Sequence, residues 1–135
     1  MLPTRRFGNQ RGTSTLEFIV VLPTLLFLLF GIIEVSRAFF TLNLATTAAR
    51  EMARAAAVAP AASFPNPPSA MQRMNDILPS GWSPTGGVTC SVNPCASDAQ
   101  VVATVTLNFQ TVVPLLQPAL GTSMAITQTA RARYE

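Results

Sequence analysis

Residues 11–37, RGTSTLEFIVVLPTLLFLLFGIIEVSR, decide how the rest of the chain is read. From Phe18 to Ile33 there is no charge, and Thr24 is the single polar side chain. At about 1.5 Å of rise per residue, this run with its flanks reaches the roughly 30 Å of a bilayer core. A membrane span over about residues 16–37 is therefore predicted. Glu17 stands directly against the apolar start. A lone carboxylate pushed toward hydrocarbon costs about 2.5–3.5 kcal/mol on insertion scales, so it needs a partner or a place near water.

Composition supports a chain in or on a membrane. Of the 135 residues 49% are hydrophobic and 11% charged, against roughly 25% charged in an average soluble domain. With the span set aside, about one hundred residues remain, enough for one small domain. The net charge of +3 comes entirely from scattered arginines, since the chain has neither Lys nor His. No stripe for nucleic acid results, and no nucleic-acid partner is predicted. Arg5, Arg6 and Arg11 precede the span with no acid among them. Under the positive-inside tendency this places the N-terminus in the cytoplasm and the C-terminal domain across the membrane.

Cys90 and Cys95 then fall in an oxidising compartment, where a disulfide persists. They are separated by SVNP, and so small a loop gives roughly a kcal/mol or more less stabilisation than a long one. Two free thiols are the alternative. Without His, and with two Cys, a tetrahedral metal site is not predicted, and no cofactor is implied. An enzyme is not predicted either: no His or Lys serves as general base, Asp76 and Asp98 lack companions, and Gly86-Gly87 precedes a strand, not a helix.

In chain order, residues 1–12 form a basic leader broken by Pro3, Gly8 and Gly12. A cleaved secretory signal would need a small-x-small site after its apolar core, and Glu34 to Phe40 offers none. A long helix follows over residues 13–59, interrupted in composition by Pro23 and Gly31, with a bend predicted at Pro23. Its outer half places Ala45, Ala49, Ala53 and Ala57 on one face, a small ridge suited to packing against another helix or a sheet. Glu34 with Arg37, and Glu51 with Arg54, stand at i,i+3 and can pair.

Residues 60–87 read as a Pro-rich connector. Pro60 stops the long helix, and Ser69 with Gln72 resembles a capping box opening a short helix whose Met71, Met74, Ile77 and Leu78 share one side. Trp82 follows as a core or membrane-interface anchor. From residue 88 to 135 the period becomes two: Val88, Cys90 and Val92; then Val101, Ala103, Val105, Leu107 and Phe109; then Met124, Ile126, Ala130, Ala132 and Tyr134. That is an antiparallel sheet of about three strands with one buried face. The fold class is thus α+β, a long N-terminal transmembrane helix packed on a small sheet. The link 111–122 carries Leu115, Leu116 and Leu120, which could cover the sheet, touch lipid or meet a partner.

Residues Gly12 to about Ala57 resemble the TadE-like family of minor pilins and pseudopilins from tight-adherence (Tad, or Flp) type IV pilus systems. The resemblance is carried by Gly12-Thr13-Ser14-Thr15-Leu16-Glu17-Phe18, Leu22-Pro23, Gly31 with Glu34, Arg37-Ala38, Ala48-Ala49-Arg50-Glu51 and Ala53-Arg54. It implies a pilin-like protein of the bacterial inner membrane, cut between Gly12 and Thr13 by a prepilin peptidase. A cut there makes Thr13 a new N-terminus and Glu17 its fifth residue, so that one subunit's carboxylate neutralises another's amine. Pro23, Gly31 and the alanine ridge would be helix-packing positions. The implied partners are other pilins or pseudopilins, the pilus assembly machinery, the peptidase and the bilayer. Whether the mature chain enters the filament or stays at its base is left open. So are an uncleaved single-span periplasmic scaffold or binding protein and a pseudopilin of a secretion system.

Overall fold

Helix α1 runs unbroken from Arg11 to Ala57 and carries Pro23 within it. In the computed structural model, which describes residues 11–114 and 116–135, everything else is folded against its outer half. Proline in a membrane helix costs one intrahelical bond, which neighbouring backbone can absorb. At about 1.5 Å per residue the helix is roughly 70 Å long. It is long and apolar enough to cross a membrane, with a mean hydropathy of 2.6 in its most apolar window.

After the helix, Pro60 and a single 3₁₀ turn at Ala61–Ser63 lead into α2, Pro68–Ile77. The capping box anticipated from Ser69 and Gln72 does not form. The helix starts two residues earlier, with Pro67 as its cap residue and no side-chain capping bond. Pro68 sits at the first helical position, where its missing N–H is no loss and its ring presets the helical φ. Ala70, Met74 and Leu78 are buried against the long helix and the sheet, while Met71 and Ile77 are half-buried. Trp82 is half-buried against the same core.

Three antiparallel strands follow, β1 (Thr85–Cys90), β2 (Gln100–Gln110) and β3 (Ser123–Arg133), in the spatial order β1-β2-β3. The register sets Val88 opposite Ala103, Val101 opposite Ala132 and Leu107 opposite Ile126. The first strand lies further upstream than its alternation suggests. Gly86 and Gly87 are within it, and Val92 is 52% exposed beyond its end. Two causes are visible. Ser91 turns the chain by exchanging bonds with Gln100, through its N–H and through its hydroxyl. Gly86 passes under α2 and α1 where a Cβ would stand 2.8 Å from Met74 Sδ and 2.9 Å from the Thr104 carbonyl oxygen.

The core is a sheet laid directly on a helix. Val88, Val101, Ala103, Val105, Leu107 and Phe109 face Ala45, Ala48, Ala49, Met52, Ala53 and Ala56. Alanine at the facing positions lets the helix axis lie close to the strands, and Met52 fills the gap that small side chains leave. Each Val, Leu or Phe buried there contributes about 1.5–3 kcal/mol relative to exposure. On β3 the inward series holds for Ile126, Ala130 and Ala132, but Met124 is 50% exposed.

The strands run along the helix, not across it. Tyr134 Oη donates to the Ala59 carbonyl at 2.8 Å and the Glu135 N–H to that of Ala57 at 3.1 Å. Phe64 meets the Tyr134 ring edge-on at 5.8 Å. At the opposite end, the Val112 N–H donates to Glu34 Oε1 at 3.1 Å. The helix between those two ties rises about 35 Å, and an eleven-residue strand spans about the same length.

Candidate functional site

One rod carries two surfaces. From Thr15 to Phe30 every residue is exposed, with Phe18 at 63% and Val20 at 73%, and burial begins with Glu34. The bare part from Thr15 to Glu34 rises about 29 Å, the depth of a bilayer's hydrocarbon. Glu17 lies at the start of this surface and is exposed, as is Pro23. Gly31 is half-buried, and a Cβ there would meet nothing within 4 Å. Gly12 and Thr13 fall in the first turn of α1 as backbone. Residues 1–10 of the basic leader, with Arg5 and Arg6, lie outside the described residues.

Where the bare half ends, a carboxylate is buried. Glu34 is 1% exposed, and its two oxygens accept from Arg37 Nη1 at 3.2 and 3.1 Å. Oε1 also accepts from the Val112 backbone N–H. A buried carboxylate is tolerable when its lone pairs are met, and here a cation and a backbone donor meet them. Arg37 in turn lies over the Phe109 ring, its Cζ 5.3 Å from the centroid, a cation–π contact. The Thr41 hydroxyl, also buried, donates to the Arg37 carbonyl at 3.0 Å. These residues join the helix to the segment that leaves β2, at the level where the chain comes out of the apolar stretch.

The i,i+3 spacing places Glu34 beside Arg37, but nothing in the sequence reveals the third member. Val112 is 78 residues away and contributes a main-chain group, which leaves no side-chain signature. The nearest available hint is an acid at the end of an apolar helical run with no charge after it on the same face until Arg37. Leu116 is buried beyond this point, ahead of the short helix α3, Gln117–Leu120.

Further out, Ala45, Ala49, Ala53 and Ala57 are all buried, against the chain's own sheet and α2. That ridge is thus occupied within one molecule. Glu51 and Arg54 pair at 3.2 Å on the exposed side, with the Arg54 side chain 79% exposed. Such a pair contributes about 0–1 kcal/mol. Cys90 and Cys95 are joined as a disulfide that closes the turn between β1 and β2. Among the described residues no three His, Cys, Asp or Glu side chains gather as a metal-holding set.

Two grooves flank the Glu34 junction. One of about 270 Å³ is mostly apolar, lined by Val35, Ala38, Phe39, Leu42, Met124 and Ile126. The other, about 530 Å³ and mixed in polarity, lies between Arg37, Phe40, Trp82, Asn108 and Phe109. The arrangement suits holding one polypeptide against a membrane and presenting surfaces to others.

Residues 12–54 match the family model described as TadE-like protein. No curated protein and no solved structure matches the chain. The matched segment takes in Glu17, the whole bare half of α1, the Glu34–Arg37 pair and the alanine ridge as far as Ala53. It stops short of the sheet.

Proposed function

We propose that this chain, TadE-like through residues 12–54, is a minor pilin or pseudopilin that acts in assembly or initiation of a Tad (Flp) type IV pilus. Its role is structural and not catalytic. A prepilin peptidase cuts after Gly12, the helix stays in the inner membrane with its sheet on the periplasmic side, and Glu17 meets the new Thr13 amine of a neighbouring pilin or pseudopilin. The observation that carries this is the division of α1. A family match falls on a helix whose inner part is apolar and bare from Thr15 to Phe30, while one face of its outer part, the alanine ridge included, is buried against the chain's own sheet and α2. Contacts with other subunits through the helix therefore use the bare half, where Pro23 and Gly31 lie, and the alanine ridge serves the fold.

The test is the intact mass of the membrane-extracted chain from cells with and without the prepilin peptidase. Loss of residues 1–12 only where the peptidase is present is the expected result, and an intact leader in both cells overturns the processing step. Replacing Gly12 with a bulky residue is expected to leave the precursor in the membrane and abolish piliation, because glycine presents the peptidase with no side chain to exclude.

A further inference from the structure

The sheet's two edges are treated differently. On the β1 side Asn66, at φ 64°, closes the middle of a six-residue edge. Its Oδ1 accepts from the Val88 N–H at 2.7 Å, and its own N–H donates to the Val88 carbonyl at 3.2 Å. The opposite edge, β3, is eleven residues long. The Thr111 N–H donates to the Thr122 carbonyl and the Tyr134 N–H to that of Ala99. By the alternation of an antiparallel ladder, the even-numbered residues of β3 bond to β2. Ala125, Thr127, Thr129, Arg131 and Arg133 then aim their N–H and C=O groups outward. No hydrogen bond among the described residues meets those groups. An uncovered edge of this length is a template for another strand.

Its surroundings are basic. A groove of about 360 Å³ between α1 and β3 is lined by Thr47, Arg50, Arg54, Arg131 and one acid, Glu51, so that three arginines face a single carboxylate. Arg54 is paired with Glu51 and Arg133 with Asp98, at 3.2 and 2.8 Å. Arg50 and Arg131 have no acidic partner among the described residues. A second copy held by the same kind of anchor would present its β3 pointing the same way. Arg131 and Arg133 would then stand at the height of their own counterparts, which disfavours self-pairing.

We propose that the open edge of β3 takes an extended, acidic segment of a different polypeptide as a fourth strand. Its backbone pairs with the outward groups from Ala125 to Arg133, and its carboxylates reach Arg50 and Arg131. Register comes from the ladder and selectivity from the two unpaired guanidinium groups.

The test uses the full chain in detergent and fluorescently labelled ten-residue peptides of repeating threonine-glutamate-glutamate, or of threonine-lysine-lysine, which carry charge on both faces of an added strand, followed by anisotropy. Saturable binding of the acidic peptide and at least about tenfold weaker binding of the basic one are expected. The pair R50A/R131A weakens the acidic peptide by about tenfold, two exposed charge contacts of about 0.7 kcal/mol each. Arg73→Ala on α2 leaves it unchanged. Thr129→Pro removes one outward N–H without touching the β2 ladder and is expected to weaken binding. Peptides N-methylated at every second residue, in both parities, repeat that test with the protein untouched, and loss in at least one parity is expected. Binding that survives both methylated series overturns strand addition, and absence of saturable binding overturns the whole proposal. Neither the leader nor the cut is used, so failure here and failure of the processing step are separate results.

Discussion

Glu34→Ala tests the tie between helix and sheet directly. It removes an acceptor from a site 1% exposed and strands the Val112 N–H that donates to it at 3.1 Å. A hydrogen bond to a charged group contributes about 1.5–3 kcal/mol. The Arg37 contact adds less, because the guanidinium side chain is 42% exposed and water screens the pair, leaving about 0–1 kcal/mol. The sum is a loss of about 1.5–4 kcal/mol, which in a domain of about one hundred residues lowers the unfolding midpoint by at least about 6 °C. Glu34→Gln keeps an oxygen for Val112 and should lose about 1 kcal/mol or less. Thermal unfolding of the full chain in detergent can be followed through Trp82, the single tryptophan, which lines the same groove as Arg37 and Phe109. A Glu34→Ala midpoint within about 2 °C of the parent would refute the claim that this carboxylate fastens the sheet to the helix.

Three further outcomes follow from the packing. Gly86→Ala is expected to destabilise by about 1–3 kcal/mol in denaturant titration, since its new methyl meets Met74 Sδ and the Thr104 carbonyl at under 3 Å. Ala53→Leu, at a position 2% exposed between helix and sheet, should cost a similar amount by overpacking, while Val58→Ala, 70% exposed, should stay within about 0.5 kcal/mol. Replacing Cys90 and Cys95 with serine opens a loop of sequence separation 5 and is expected to cost about 2 kcal/mol, with the far-UV circular dichroism of the sheet retained. An unchanged denaturation midpoint would show that the bridge does not constrain the unfolded chain.

How much of this was legible follows from which signals are local. The apolar run, the alanine spacing and the two-residue period of residues 101–110 are patterns within one element, and each folded element answers to its own pattern. The buried parity of Val101, Ala103, Val105, Leu107 and Phe109 is an example. What escaped was set by contacts between elements. The start of β1 depends on how closely α2 and α1 approach Gly86, and the start of α2 on a second proline that outweighs a serine. The alanine ridge announces close packing without saying against what, and its partner proved to be the same molecule. Glu34's bond to Val112 was out of reach because a backbone amide has the same chemistry at every residue. The open edge of β3 likewise appears only once the strand order is known.

The strands' alignment with α1, tied at Glu34 near the bare half and at Ala57 and Ala59 far from it, has a mechanical corollary. No joint separates anchor from head: the element that sits in lipid is also the spine of the globular part. If the span is turned by neighbours in the bilayer, the head must swing with it through the same angle, carrying the open β3 flank to a new bearing. Which outside molecules that flank can reach is thus steered from within the membrane.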